Sequence, residues 1–341
     1  MKSHINTINN FDFLRLLFAS LVIIHHAFPL SGRLPNDPTF FWSNEQLSIG
    51  TLSVGSFFAI SGYLILGSLN RSKGLIDYFW KRIIRLYPGL IVMMAVTCLV
   101  IITIDYSMIY SKSFYTYFSN RIILYGSQFS IVNFFDDNPY PGVINGSLWT
   151  LSYEFTCYAM IFLLYFFRNN LRMQKLITFT LFAVFYSAYN LKISLHFLSR
   201  LNLDSSKFFE FGIFFISGMI MYYYKKNIKK ATYLVVFIVL ILSVYFDIFR
   251  FAFPLIALVV ISFGRESTKY INLIGSKIGD LSYGIYIYGF LIQQTLMHYY
   301  NLNWVVLTIV SFIITFFMAY LSWKFVEKPV LKFKILLTKN N

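Results

Sequence analysis

The residues best suited to chemistry lie in the first hydrophobic stretch of the chain, FDFLRLLFASLVIIHHAFPL at 11–30. It carries Arg15 and His26, eleven positions apart. On an α-helix, eleven steps return to within about 20° of the same face and rise about 16 Å, so these two side chains share a stripe. His25 points about 80° away from it. With Arg15 at a membrane edge, His26 would lie near the middle of a hydrocarbon layer about 30 Å thick, where an ionisable residue marks a candidate functional site.

The residue types of His26 and Asp12 predict a specific role for each in such a site. Burial disfavours the imidazolium, so a neutral His26 would suit a general base that takes a proton from a hydroxyl. Asp12 precedes Arg15 by three residues, and this spacing lets its carboxylate pair with the guanidinium and orient it. Two structural alternatives stay open: an ion pair that only fixes the depth of the helix, and a His26 that hydrogen-bonds a neighbouring helix.

A second polar cluster is the segment FWKRIIRLYPG at 79–89. Arg82 and Arg85 are three residues apart, so they project from one side of a helix turn. Two guanidiniums on one face form a multidentate anion receptor that suits phosphates, although anchoring at the inner membrane surface would explain the charge equally well. Pro88 and Gly89 predict a break between this turn and the membrane helix that follows.

A third cluster opens the fourth hydrophobic stretch, where Glu154 is the sole acidic residue. An unpaired buried carboxylate is costly, so Glu154 should face a polar interior, partner a base or a cation, or stay protonated. Tyr158 lies one turn further on the same face. A purely structural role for Glu154 stays open.

These clusters belong to a polytopic, all-α membrane protein. Of the 341 residues, 57% are hydrophobic and 13% charged, and the mean hydropathy is +0.63, which a domain surrounded by water would not show. The apolar stretches predict about ten transmembrane helices, at 11–30, 48–69, 86–104, 147–167, 174–190, 206–224, 231–247, 249–264, 282–300 and 304–323.

The basic residues set the predicted topology. With both termini cytoplasmic, 22 of the 29 lysines and arginines fall on the inner side, as the positive-inside rule requires. The net charge of +15 is therefore mostly topogenic, and no soluble basic face indicates nucleic acid as a partner. We expect one membrane domain over residues 1–330 and a short basic cytoplasmic tail over 331–341. Cys98 and Cys157 lie in apolar stretches and indicate neither a disulfide framework nor a metal site.

In order along the chain, these segments resemble the acyltransferase-3 family of integral membrane acyltransferases. The resemblance covers nearly the whole chain and also includes the blocks IGDLSYGIYIYGF and WKFVEKP near its end. One departure is Gly289, at a position where the family often has a histidine. The family's other motif positions fall on Asp12, Arg15, His26, Ser61, Gly62, Arg82, Arg85, Asn145, Gly146, Trp149 and Glu154.

The resemblance implies transfer of an acyl group, most often acetyl, from acyl-CoA in the cytoplasm to a hydroxyl of a carbohydrate. Acyl-CoA would be the donor substrate, and no cofactor would be permanently bound. The acceptor would be a glycan assembled on a lipid carrier, such as an O-antigen, capsule or exopolysaccharide unit, at the inner membrane of a bacterium. The expected catalytic residues are His26, Glu154 and Arg15; Arg82, Arg85 and Arg15 would hold the donor, Asp12 would orient Arg15, and Trp149, Asn145 and Tyr158 would contact the acceptor.

A different class of protein also fits the buried charges. Arginine, histidine and glutamate inside a membrane also mark substrate and proton pathways. The chain could therefore be a transporter of a small anionic or sugar substrate, with no covalent chemistry. The sequence contains nothing that predicts the oligomeric state.

Overall fold

The computed structural model describes residues 9–224 and 228–333. Within these ranges every regular element is a helix, as predicted, and two residues, Ser130 and Val143, form an isolated β-bridge. The α-helices are α1 (Phe11–Leu30), α2 (Pro38–Trp42), α3 (Ile49–Asn70), α4 (Leu75–Ile104), α5 (Lys112–Ile122), α6 (Thr150–Met160), α7 (Leu171–Asn190), α8 (His196–Arg200), α9 (Ser205–Tyr223), α10 (Lys230–Tyr245), α11 (Phe253–Arg265), α12 (Ile274–Ile278), α13 (Ser282–Tyr299), α14 (Trp304–Ser322) and α15 (Lys328–Leu331).

Each of the ten predicted apolar stretches coincides with a helix, but they are not equally suited to crossing a membrane. Among the described residues, five helical segments are long and apolar enough to do so. The helix α13 is 18 residues long yet rich in tyrosine and glutamine, and most of its residues, including both glutamines, are buried by protein. Ten spans and two cytoplasmic termini thus stay a prediction, and most of the tail at 331–341 lies outside the described residues. The five segments are Phe11–Leu30, Ile49–Asn70, Leu75–Ile104, Thr150–Phe167 and Trp304–Leu331.

The predicted break at Pro88 and Gly89 is wrong, because α4 runs through both residues. A proline inside a helix removes one backbone hydrogen bond, which a helix packed among others can tolerate. Gly89 is needed for packing instead: a Cβ there would lie 2.7 Å from the ring of Tyr283 on α13. The basic turn of residues 81–85 is therefore a rigid extension of a membrane helix.

Small residues let α3 and α9 pack backbone to backbone. A Cβ on Gly62 would lie 1.9 Å from the carbonyl oxygen of Phe215, and a Cβ on Gly218 would lie 1.9 Å from that of Ala59. Such close contact between helices is the usual role of small residues in membranes. The pair forms one wall of the bundle, and α1 packs between α3 and α13.

The segment between α4 and α6 covers one end of α13. Phe134, Phe135 and Ile144 are buried, and the amide of Asn138 donates to the side-chain oxygen of Gln294 at 2.8 Å. This end of the bundle is therefore closed by packed aromatic side chains and by hydrogen bonds. Most of the predicted site residues lie on α1, α4 and α6, whereas Asn145 and Trp149 lie at the end of this segment, directly before α6.

Candidate active site

A cavity of about 320 Å³ lies among α1, α3, α4, α6 and α13. We call it the arginine cavity. Five basic side chains and a single carboxylate line it among the described residues, and this excess of positive charge favours an anionic ligand. Its charged lining residues are Arg15, Arg71, Lys81, Arg82, Arg85 and Glu154.

Asp280, in the loop before α13, joins two of these arginines. Its Oδ2 atom accepts from Arg15 at 2.6 Å and from Arg85 at 2.5 Å. The orienting contact predicted for Asp12 is therefore made by Asp280: Asp12 forms no ion pair with Arg15 in the described part of the chain. Asp12 is exposed and lies against Gly275, where an added Cβ would clash with its carboxylate.

The Asp280 carboxylate is held in its ionised form. Burial by itself would raise its pKa, but the charges of Arg15 and Arg85 and a 2.7 Å hydrogen bond from the Ser282 hydroxyl lower the pKa below its usual value. One negative charge thus balances part of two positive charges. The two guanidiniums keep a net positive charge and a fixed orientation.

Unlike Arg15, Lys81 and Arg85, Arg82 pairs with no carboxylate among the described residues. It is nearly buried, donates to the Ser68 hydroxyl at 2.8 Å, and lies over the rings of Tyr78 and Tyr158 at 5.4 and 5.8 Å. Its Nε atom has no hydrogen-bond partner within the described ranges. A buried guanidinium without a counter-charge is costly, which favours an anionic ligand at this point.

Glu154 lies in the arginine cavity and accepts hydrogen bonds from two hydroxyls. The Ser61 hydroxyl donates to its Oε1 atom at 3.0 Å, and the Tyr158 hydroxyl donates to the same oxygen. Ser61 therefore contributes to the site as well as to helix packing. The predicted contact between Glu154 and Tyr158, one turn apart, is present.

A second cavity, of about 110 Å³, lies towards the start of α3. We call it the histidine cavity, because both His25 and His26 line it. The 80° between them on the helix does not separate them, since the cavity wraps around that side of α1. The ring of His26 lies edge-on to Phe290, with centroids 5.1 Å apart, and has no hydrogen-bond partner among the described residues.

The three predicted acceptor contacts are not brought together. Trp149 lines the histidine cavity, whereas Tyr158 lines the arginine cavity. Asn145 lines neither: it is 1% exposed, and its amide donates to the carbonyl of Ile287 at 2.8 Å while its side-chain oxygen accepts from the backbone of Ser147 at 3.1 Å. The contacts of Asn145 shape the turn before α6 and leave none for an acceptor.

The two cavities adjoin each other. Val54 and Tyr286 line both of them. The Tyr286 hydroxyl lies 2.6 Å from the Thr150 hydroxyl, which fixes the ring at this junction. A small group held in the arginine cavity is thus one side-chain layer away from the histidines.

Sequence reasoning missed Asp280 and Lys207. Asp280 lies in the quoted block IGDLSYG, directly before a buried helix, and an acidic residue at such a point was a usable signal. Lys207, on α9, lines the histidine cavity and pairs with Glu210 at 2.8 Å. Nothing in its surroundings in sequence distinguished it from other interfacial lysines. Within the described ranges, no group of three or more histidine, cysteine, aspartate or glutamate side chains could hold a metal ion.

The sequence of the chain is similar to a known protein family and to individual known proteins. The model of the acyltransferase-3 family, described as an acyltransferase domain, matches residues 8–324. The chain is 26% identical over 343 aligned positions to an O-acetyl transferase of Shigella phage Sf6, covering 95% of this chain and 96% of that protein. It is 28% identical over 365 positions to nodulation protein 10 of Rhizobium leguminosarum bv. viciae, covering 96% and 94%. No solved structure matches the chain.

Proposed function

The chain belongs to the acyltransferase-3 family, and from this premise we propose that it moves an acetyl group from acetyl-CoA to a hydroxyl of a cell-surface carbohydrate or of its lipid-linked precursor. The family and the phage relative make it an O-acetyltransferase, which decides against the transporter alternative. One observation carries the finer proposal. A basic cavity and a histidine cavity adjoin each other inside the bundle, since Val54 and Tyr286 line both.

The arginine cavity would receive the donor. Coenzyme A carries phosphates, and Arg82 presents a guanidinium that lacks a carboxylate partner within the described residues. Arg85 and Arg15 add charge from a fixed position, because Asp280 holds both. In the predicted topology this end of the bundle faces the cytoplasm, where acyl-CoA is present.

The histidine cavity would receive the acceptor hydroxyl, with His26 as its general base. The hydroxyl proton passes to His26 as the oxygen bonds to the acetyl carbonyl carbon. The bond from that carbon to sulfur then breaks, and the coenzyme A thiolate leaves and takes up a proton. This role is supported by the position of His26 on the wall of a cavity and by its lack of a hydrogen-bond partner in the described part of the chain.

Glu154 and Tyr286 would act between the two cavities. Glu154 accepts hydrogen bonds from Ser61 and Tyr158, so its position is defined. A carboxylate there would orient the polar groups at the centre of the bundle and balance the charge of Arg15. Trp149 would offer an aromatic face to the sugar ring of the acceptor. The protein would reside in the inner membrane of a bacterium.

Labelled acetyl-CoA tests the reaction. Membranes that contain the protein should release free thiol and transfer label to a glycan fraction, whereas membranes with His26→Ala at equal abundance should do neither. NMR spectra of surface glycans, with and without the gene and before and after mild base, should show an alkali-labile ester that depends on the gene. Release of thiol with no labelled glycan would reject the carbohydrate acceptor.

A further inference from the structure

A histidine–carboxylate pair adjoins His26, and the proposed function does not use it. The side chain of Asp37 is fully buried at the start of α2. Its Oδ2 atom accepts from the backbone N–H of Ile49 at 3.0 Å, and its Oδ1 atom accepts from the backbone N–H of Thr39 at 3.0 Å and from the Thr39 hydroxyl. The Nδ1 atom of His25 lies 2.7 Å from Oδ2.

These contacts define the charge of Asp37 and the tautomer of His25. Burial alone would raise the pKa of Asp37, but hydrogen bonds from His25, Thr39 and Ile49 lower it below its usual value, so the carboxylate is ionised. An ionised carboxylate only accepts hydrogen bonds, so Nδ1 of His25 carries the proton. In the neutral imidazole this leaves the lone pair on the Nε2 atom.

Gly50 makes room for this ring. A Cβ at position 50 would lie 2.6 Å from Nε2 and 2.5 Å from Cδ2 of His25. The first turn of α3 can therefore approach the imidazole only because this residue has no side chain. His25 keeps 20% of its side-chain surface exposed and lines the histidine cavity, so its ring is reachable from that cavity.

We propose that His25, held by Asp37, binds the acceptor directly: its Nε2 atom accepts a hydrogen bond from a second hydroxyl, next to the one that His26 deprotonates. The two rings line the same cavity with centroids 5.4 Å apart, and the cavity also offers Trp149. The ligand class is a polyhydroxylated ring with neighbouring free hydroxyls. This inference rests on the proposed function and adds His25 to it as a residue that binds the acceptor.

The alternative is a tether, in which His25 only ties the loop that contains Asp37 to α1. Two variants separate these roles. His25→Asn places an amide nitrogen where Nδ1 was, so it keeps the donor to Asp37 and removes Nε2. His25→Gln places its amide near the position of Nε2 and loses the contact with Asp37. His298→Asn is the matched control, because His298 is exposed and lies outside both cavities.

The assay titrates a lipid-linked glycan fraction, extracted from cells that lack the gene, into membranes with labelled acetyl-CoA. His25→Asn should raise the KM for the glycan fraction about five- to tenfold, the contribution of one hydrogen bond, with kcat and the KM for acetyl-CoA within about twofold. His298→Asn should match the wild type. If His25→Asn keeps the wild-type KM for the glycan fraction, His25 only tethers the loop to α1. If the variant loses kcat with an unchanged KM, His25 is the general base. Either result overturns the proposal.

A binding measurement keeps this inference separate from the reaction. Diethylpyrocarbonate modifies free histidine nitrogens, and mass spectrometry of peptides from the purified protein locates the modified residue. The glycan fraction should protect His25, and His298 should stay reactive. Protection without any acetyl transfer by the wild type would reject the proposed function alone. Transfer by the wild type without protection of His25 would reject the inference alone.

Discussion

Replacing Asp280 by asparagine removes the one charge that Arg15 and Arg85 share and leaves the shape of the side chain. At 2.6 and 2.5 Å and an effective dielectric constant of about 20, each contact supplies roughly 6 kcal/mol of Coulomb attraction before desolvation. Desolvation cancels much of this, and losing one partner of a buried pair costs about 3 to 5 kcal/mol. Because 18–21% of each side chain is exposed, we expect about 3 kcal/mol of lost stability.

This loss should appear as a Tm lower by about 5 °C for the purified protein, measured by intrinsic fluorescence. The KM for acetyl-CoA should also rise, since the two guanidiniums then repel each other and lose their common anchor. Asp105→Asn is the control, because Asp105 caps a short helix outside both cavities and asparagine caps equally well.

A double-mutant cycle tests the physical cause. If Asp280 acts by balancing charge, adding Arg85→Gln to Asp280→Asn should recover part of the lost stability, so the two costs should not add. A wild-type Tm and donor KM in Asp280→Asn would refute the reasoning. If the stability losses of the two single variants add strictly in the double variant, the contact between Asp280 and Arg85 contributes nothing to stability.

Three further substitutions test the proposed roles. His26→Ala should abolish acetyl transfer at normal membrane abundance, and retained thiol release would remove His26 as the base. Arg82→Ala should raise the KM for acetyl-CoA at least about tenfold. Arg82→Lys should restore this KM poorly, because lysine cannot make bidentate phosphate contacts. Full rescue by lysine would show that position 82 contributes only a positive charge. Glu154→Gln should lower turnover at least about tenfold, which corresponds to an activation barrier higher by roughly 1.4 kcal/mol. Near-normal turnover at matched abundance would show that Glu154 is neutral and only bridges helices.

The element positions could be predicted because hydropathy is a local property. Each apolar stretch predicted a helix, and the ends fell within a few residues of those observed except at α4, which begins eleven residues before the predicted position 86. Family resemblance, which needs only the order of motifs, was also available from the chain alone. The sequence did not show which helices protein would bury. The buried tyrosines and glutamines of α13 contact other helices and the segment between α4 and α6, and only the packed bundle contains that information.

The sequence by itself determined which residues are costly to bury, and tertiary structure decided which of them meet. Arg15, Arg82, Arg85, Glu154 and His26 could be singled out because charge in an apolar helix is expensive wherever that helix packs. Their partners depend on contacts distant in sequence. Asp280, which orients Arg15, lies 265 positions after it in the chain, and Asp37 contacts His25 because the loop between them folds back onto α1. Helical geometry gives the face of a side chain, but only packing decides what lies opposite that face.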